Sequence, residues 1–284
     1  MVSTVRPAAD VVTIVIVTFQ SAHCLPMLGQ LLANLPHVIV VDNASSDGTD
    51  AAVQQHLPQA RFVANTKNLG FGAANNLGLD QVTTPYALLL NPDCEIAMES
   101  IEALYSAQRQ FPDAGMLAPQ ILDAQGQHEV NYRWPSPLWR SKGPGATGPC
   151  CVGFLCGAVI WLNLSKTRTL AHFDTDFFLY YEDDDLTLRA FSAKIPLLLI
   201  PAATAIHRSR GSVKGQAPWR AEYARGFHHA RSKIQFFNKH GAPGEATRLK
   251  RRTLWLALLT LILRVLLPSP KHIARNAGRV RALL

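Results

Sequence analysis

Hydrophobic positions in the first third of the chain fall into short runs separated by helical patterns. Residues 11–17 are β-branched throughout, the mark of a strand covered on both faces. A second run at 38–41 ends on Asp42-Asn43, a short third spans 61–64, and a fourth at 86–90 ends on Asn91-Pro92-Asp93. Between them, apolar residues at helical spacing predict helices near 25–35, 47–55 and 71–79. Strands alternating with helices predict βαβ units, hence an α/β fold with a mostly parallel, Rossmann-like sheet flanked by helices. Residues 153–162, 195–200 and 202–206 read as further strands, the last ending at His207. Trp134-Pro135-Ser136-Pro137 and the Gly/Pro-rich stretch 143–149 read as loops.

Ligands of open parallel sheets bind beyond the carboxyl ends of the strands. Those ends carry Thr18, Asp42 with Asn43, and Asp93, so the polar residues fall where the topology puts a pocket.

Composition adds little until it is divided along the chain. An apolar fraction of 48% with 17% charged residues describes an ordinary core rather than a disordered chain. From His207 onward, however, lie 17 of the 28 Lys and Arg but only 2 of the 20 Asp and Glu. An acidic body with a basic, helical tail implies a polyanionic partner for the tail. The apolar run 254–263 inside that tail is shorter than the ~20 residues a bilayer crossing needs, and an interfacial helix on anionic lipid fits it better. A helix packed on the body is the plainer alternative. The tail has no nucleic-acid reader motif, so lipid rather than nucleic acid is the expected partner. The two expected regions are a nucleotide-binding and catalytic domain over 1–212 and a basic helical extension over 213–284. Five cysteines without paired spacing read as reduced thiols. No secretory signal precedes residues 11–17, and the expected place is the cytoplasm, peripheral on the inner face of the membrane.

Four segments carry candidate chemistry. Asp93, held by Pro92 at a strand end, suits a hard divalent cation bridging to phosphate. Glu182-Asp183-Asp184-Asp185 sets four carboxylates in a row after Phe177-Phe178-Leu179-Tyr180-Tyr181; such repulsion needs a cation, an arginine or a helix N-terminus to relieve it. A carboxylate drawn inward by that aromatic flank suits general-base work. His207 offers a second metal ligand or a structural imidazole. The turn Asn68-Leu69-Gly70-Phe71-Gly72, opening a helix, offers backbone N–H groups to an anion or simply starts the helix.

In order along nearly the whole chain, these segments resemble family 2 glycosyltransferases of the GT-A fold, especially bacterial rhamnosyltransferases that build cell-surface polysaccharides. The resemblance is carried by Val15-Ile16-Val17-Thr18-Phe19, the stretch from Val40-Val41-Asp42-Asn43 to Thr49, residues 68–78, Asn91-Pro92-Asp93, residues 176–189, His207, and Phe236-Phe237-Asn238-Lys239-His240-Gly241. It implies a metal-dependent, inverting transfer from a dTDP- or UDP-sugar, with rhamnose the expected sugar, to a lipid-linked or cell-surface saccharide. Asp42 would accept the N3–H of a pyrimidine, with Thr18 and Phe19 lining the nucleotide pocket. Asn43, Asn68, Gly72, Asn75 and Asn91 fall on the donor side. Asp93 and His207 would hold Mg²⁺ or Mn²⁺ against the diphosphate, and Asp183 matches the base, with Asp185 the other choice. Arg189 would tether the acidic helix or the donor, and Arg210 and Lys214 would meet the diphosphate. Asn91 stands where many relatives have Asp, leaving one carboxylate for the metal. A non-catalytic glycan- or nucleotide-sugar-binding protein of the same fold is the alternative reading.

Overall fold

The computed structural model describes residues 6–130, 132–133, 145–208, 211 and 218–284. Its first half follows the expected rhythm: β1 (Val12–Thr18), α1 (Leu25–Leu32), β2 (Val38–Asp42), α2 (Thr49–His56), β3 (Arg61–Ala64), α3 (Phe71–Leu79) and β4 (Tyr86–Leu90). Next come β5 (Cys94–Ile96), α4 (Met98–Gln110), β6 (Met116–Leu122), β7 (His128–Glu129), β8 (Cys150–Val152), β9 (Val159–Asn163) and the single turn α5 (Leu164–Thr167). The chain closes with α6 (Glu182–Ser192), β10 (Leu197–His207), α7 (Pro218–His240), α8 (Glu245–Leu266) and α9 (Pro270–Leu283).

One sheet runs β3-β2-β1-β4-β9-β6-β10-β5, with β7 on β6 and β8 on β10. β1 to β4 are parallel to one another; β9 is antiparallel to β4 and β6, which makes β6 and β10 co-directional with the first four. Every residue of β1 and β2 is buried, as a sheet covered on both faces requires. Ile14 and Ile16 pack toward α1 through Leu25, Leu28 and Leu32, while Val15 faces the opposite layer.

This topology decides where the chemistry sits. Thr18, Asp42 and His207 close co-directional strands, and Asp93 follows β4 by three residues. β9 enters at the same end, since Leu90 pairs with Val159. Two departures from the sequence reading stand out. Residues 153–162 are not one strand: only Val159–Asn163 is, and the preceding residues bend toward the acidic helix. The runs 195–200 and 202–206 belong to one strand, β10 (Leu197–His207), whose irregularity between Ile200 and Thr204 imitates a break. The expected boundary at 212–213 lies outside the described residues, as do Arg210, Lys214, residues 134–137 and the first part of the 143–149 loop.

Candidate active site

The first group centres on Asp42, which is 5% exposed. Its Oδ1 accepts from the Thr18 hydroxyl at 2.8 Å and the Ser45 hydroxyl at 2.6 Å, and Oδ2 from the Ser45 amide at 2.8 Å. A carboxylate has about four acceptor sites, so Oδ2 keeps one for a further donor. The Ser45 hydroxyl also accepts from the Gln20 amide at 2.8 Å, which fixes the loop after β1 and half-buried Phe19 beside the carboxylate.

The second group is Asp93, Cys94 and His207, with one ligand atom of each within 4.8 Å of the others. Antiparallel pairing of Cys94 with His207 brings β5 and β10 together here, and Asp93 Oδ1 stands 3.6 Å from His207 Nε2. Asp93 Oδ2 accepts from the Gly211 amide at 3.0 Å, and His23 Nε2 lies 2.6 Å from the Gly211 carbonyl. His23 follows β1, so Gly211 links the Asp93–His207 pair to the end of the sheet that carries Thr18 and Asp42. Burial pushes the Cys94 thiol well above its usual range, with Asp93 adding to the effect. A hard or borderline divalent cation prefers carboxylate oxygen and imidazole nitrogen to thiol sulfur, so Asp93 and His207 are the members of this group that suit it.

The four carboxylates of α6 have four different fates. All sit in its first turn, where the helix dipole favours negative charge. Glu182 is 5% exposed, and burial, then Asp183, pushes its carboxyl well above the ordinary range. Asp184 pairs with Arg133, whose guanidinium lies 3.7 Å above the Phe154 ring. Asp185, fully buried, takes Lys239 and His240 at 2.7 Å and Arg189 at 2.8 Å. Burial opposes its ionisation, but those three hydrogen bonds outweigh burial and hold its carboxyl below the usual range.

Asp183 is the exception. Its Oδ2 accepts from the Gly157 amide at 3.0 Å and Oδ1 from the Asp184 amide at 2.9 Å. Burial and then the charge of Asp184 raise its carboxyl to about 6, against those two amides and Arg133. The pair titrates jointly, and among the described residues Asp184, not Asp183, is the member that forms an ion pair. Gly157 precedes Ala158, whose carbonyl accepts from the Asn91 amide at 2.9 Å. The anchor of Asp183 and the turn carrying Asp93 are therefore bound together across the end of the β4–β9 ladder.

The approach to α6 is strained and clamped. Tyr180 and Tyr181 both adopt left-handed backbone, φ 70° and 68°, costing about 1–2 kcal/mol each. α7 holds them: the Ser232 hydroxyl donates to the Leu179 carbonyl at 2.9 Å, His228 stacks on Phe178, and His229 meets both tyrosines edge-on. From the other side the Phe71 amide donates to the Phe178 carbonyl at 2.9 Å, and Asn76 exchanges two hydrogen bonds with the Phe173 backbone.

A family model, glycosyl transferase family 2, matches residues 13–158, about half of the chain. The chain belongs to glycosyl transferase family 2. It is 28% identical over 241 residues to the N-acetylglucosaminyl-diphospho-decaprenol L-rhamnosyltransferase of Mycobacterium tuberculosis, covering 72% of this chain and 78% of that one. It is equally identical over 211 residues to the low-salt glycan biosynthesis hexosyltransferase Agl10 of Haloferax volcanii, covering 70% and 67%. Among solved structures it resembles the Pyrobaculum calidifontis mannosyltransferase PcManGT in complex with GDP-Man and Mn²⁺, at TM-score 0.58 and 17% identity over 99% and 88% of the two chains. It also resembles GalNAc-T7 with UDP, GalNAc and Mn²⁺, at TM-score 0.54 and 14% identity over 85% and 54%. The shared fold is GT-A.

Several residues expected on the donor side make hydrogen bonds or close packing within the frame of this family 2 enzyme. Asn43 spends its amide on the Gly70 carbonyl, the Asn65 side chain and the Leu69 amide, so it shapes the 65–70 loop. Asn75 donates to the Phe71 carbonyl inside α3, and Asn68 accepts from the Gly70 amide in a local turn. Gly72 permits close packing, since a Cβ there would stand 2.9 Å from Phe173 Cβ. The first amide of α3 goes to Phe178 rather than to an anion. Arg189 binds Asp185 and the carbonyls of Leu170 and His172, so it tethers the acidic helix. Asn91 is half-buried beside Asp93. Sequence reasoning did not single out Ser45, Arg133, Cys94, Gly157 or Gly211, and gave Lys239 and His240 no role. A separate hollow of about 490 Å³, lined by Cys151, Phe191 and Lys194 among others, contains none of the site residues.

Gly70 tests the clamp. At φ +90° it approaches Phe178 so closely that a Cβ would stand 2.3 Å from the carbonyl oxygen. Gly70→Ala is expected to lose about 3 kcal/mol of stability from strain and overlap together. Gly48→Ala, at φ +84° with nothing within 4 Å, is expected to lose only about 1 kcal/mol. Denaturant unfolding of the two variants checks the difference.

Proposed function

We propose that this protein transfers a sugar from a dTDP- or UDP-linked donor to a hydroxyl of a lipid-linked or cell-surface saccharide, inverting the anomeric centre. The observation that carries the reading is Asp183: a carboxylate that pairs with no cation among the described residues, raised by burial and by Asp184, anchored at the end of the β4–β9 ladder beside the turn that carries Asp93. The M. tuberculosis relative, named for rhamnose transfer to a diphospho-decaprenol-linked N-acetylglucosamine, favours rhamnose and a lipid-linked acceptor.

In this reading Asp42 offers its remaining Oδ2 acceptor site to the N3–H of the pyrimidine, while Thr18 and Ser45 keep the carboxylate oriented. Asp93 and His207 would hold Mn²⁺ or Mg²⁺; a carboxylate beside an imidazole suits Mn²⁺ somewhat better than all-oxygen Mg²⁺. Bound there, the cation would supply positive charge to the diphosphate as the glycosidic bond stretches. Asp183 takes the proton of the acceptor hydroxyl as that oxygen forms its bond to the anomeric carbon and the nucleoside diphosphate departs. One displacement with attack and departure on opposite faces inverts the centre, and the site needs no nucleophile of its own. Asp185, saturated by Lys239, His240 and Arg189, has no capacity for the base's role.

The test is a donor screen by nucleoside diphosphate release, with and without divalent cation, and with mass analysis of the acceptor. Metal-dependent release matched by glycosylated product is expected. Donor binding without product would favour a glycan- or nucleotide-sugar-binding protein.

Arg133 gives a pH prediction. Asp183 must be ionised to accept a proton, so activity rises with pH through about 6. Arg133 offsets Asp184 and favours ionisation of Asp183. Arg133→Gln is expected to move the rising limb of the pH–rate profile upward by about one pH unit, with the largest loss on the acid side. An unchanged profile would remove Arg133 from the base's environment.

A further inference from the structure

The C-terminal helices present a surface that the transfer chemistry does not use. α8 turns Ala246 and Ala257 inward and packs on α7 and α9, and Leu249 joins the apolar cluster of Phe177, Phe236 and Phe237. At 3.6 residues per turn, the arc opposite those residues carries Arg248, Arg251, Arg252, Trp255, Leu259 and Ile262. All six are exposed, Trp255 by 64% and Ile262 by 68%. Leu263 and Leu267 extend the stripe at 54% and 71% exposure. Large apolar side chains gathered on one outward face mark a contact surface rather than scattered exposure.

The stripe changes character along its axis, not around it. Its first turns are cationic and its later turns apolar. A helix lying flat on a membrane would instead flank one apolar face with charge on both sides. We propose that the α8–α9 hairpin docks obliquely on an anionic bilayer. Arg248, Arg251 and Arg252 meet the headgroups, Trp255 sits at the boundary, and Ile262, Leu263 and Leu267 enter the acyl region. Arg264 and Lys271 border the tip on either side of Leu267 and confine it to the headgroup–acyl boundary, about 5–10 Å deep. That agrees with the absence, among the described residues, of any helix long and apolar enough to cross a membrane.

Charge selects lipid over a second copy of the chain. α8 has one acidic residue, Glu245, at its first position. Two copies packed stripe to stripe would set arginine on arginine if parallel, or arginine on leucine if antiparallel, and neither arrangement supplies a carboxylate. Anionic headgroups complement the first half of the stripe and acyl chains the second. The consequence reaches the active site through α7, which packs extensively on α9 and carries Ser232, Lys239 and His240 against the segment holding Asp183. That link to a membrane-borne acceptor rests on the proposed acceptor class; the docking itself does not.

The experiment is sedimentation of the full chain with phosphatidylcholine vesicles, with and without 25 mol% phosphatidylglycerol (roughly one anionic lipid in four, a usual surface charge). Binding should require the anionic lipid. Ile262→Asp combined with Leu267→Asp should weaken it about tenfold or more, and each of Arg251→Gln and Arg252→Gln about fivefold. Trp255 should lose emission to bromine-labelled acyl chains relative to a Trp255→Phe control. Circular dichroism and nucleotide binding should match the parent in every variant, which separates loss of docking from loss of fold. Equal sedimentation of all variants, or no anionic preference, overturns the proposal. So does a dimer in solution that Ile262→Asp abolishes. A protein that docks as described yet glycosylates only water-soluble acceptors would overturn the acceptor class and leave the docking intact.

Discussion

Asp183→Asn is expected to lower turnover by about 10²–10⁴-fold while donor affinity stays within about twofold of the parent. The amide is nearly the size of the carboxylate and still accepts from the Gly157 amide through its oxygen, while the hydrogen bond from the Asp184 amide is lost, so a loss of about 1 kcal/mol in stability accompanies the substitution. What disappears is the capacity to take a proton from the acceptor hydroxyl. Asp185→Asn makes the contrasting control. Its carboxylate is held by Lys239, His240 and Arg189, so the loss there should fall on stability, because two or three cationic partners are left around a neutral amide. Single-turnover assays with saturating donor, beside unfolding curves, separate the two. If Asp185→Asn lost turnover without losing stability and Asp183→Asn kept it, the assignment of the base would be reversed.

Asp93→Ala is expected to cost about 10²–10³-fold in turnover, comparable to removing a principal source of charge stabilisation from a leaving group. Unlike Asp183→Asn it should also weaken metal-dependent donor binding, because Asp93 supplies the carboxylate of the Asp93–His207 pair. His207→Ala should do the same to a smaller degree. Titration of nucleoside diphosphate with and without Mn²⁺ reads the effect. A variant whose donor affinity still rises with Mn²⁺ as in the parent would place the cation elsewhere.

The sequence made much of this frame legible, for physical reasons. Runs such as 11–17 and 38–41 are buried on both sides, so they read as strands, and Thr18, Asp42 and His207 then fall at strand ends. β5 and β6 were missed because one is three residues long and the other contains Pro119 and Gln120. The polar side chains of Asn43, Asn75 and Arg189 illustrate the other limit. Amide and guanidinium groups satisfy backbone carbonyls as readily as ligands, and a motif alone does not say which. Partners of the base were out of reach for a related reason. Gly157 contributes only a backbone amide, 26 residues from Asp183, and Arg133 lies 51 residues from Asp184. The four carboxylates in a row announced chemistry. Their separation into a buried carboxyl shifted upward, the proposed base, an ion pair and a saturated anchor required α7 and residue 133 to be in place.

The most direct measurement is anomalous scattering from crystals soaked with Mn²⁺ and a pyrimidine nucleoside diphosphate. A manganese peak between Asp93 Oδ1 and His207 Nε2, with diphosphate oxygens on the ion and the pyrimidine N3–H on Asp42 Oδ2, is the expected result. Manganese bound away from Asp93 and His207, or a nucleotide lying where Asp183 cannot face its sugar, would contradict the account.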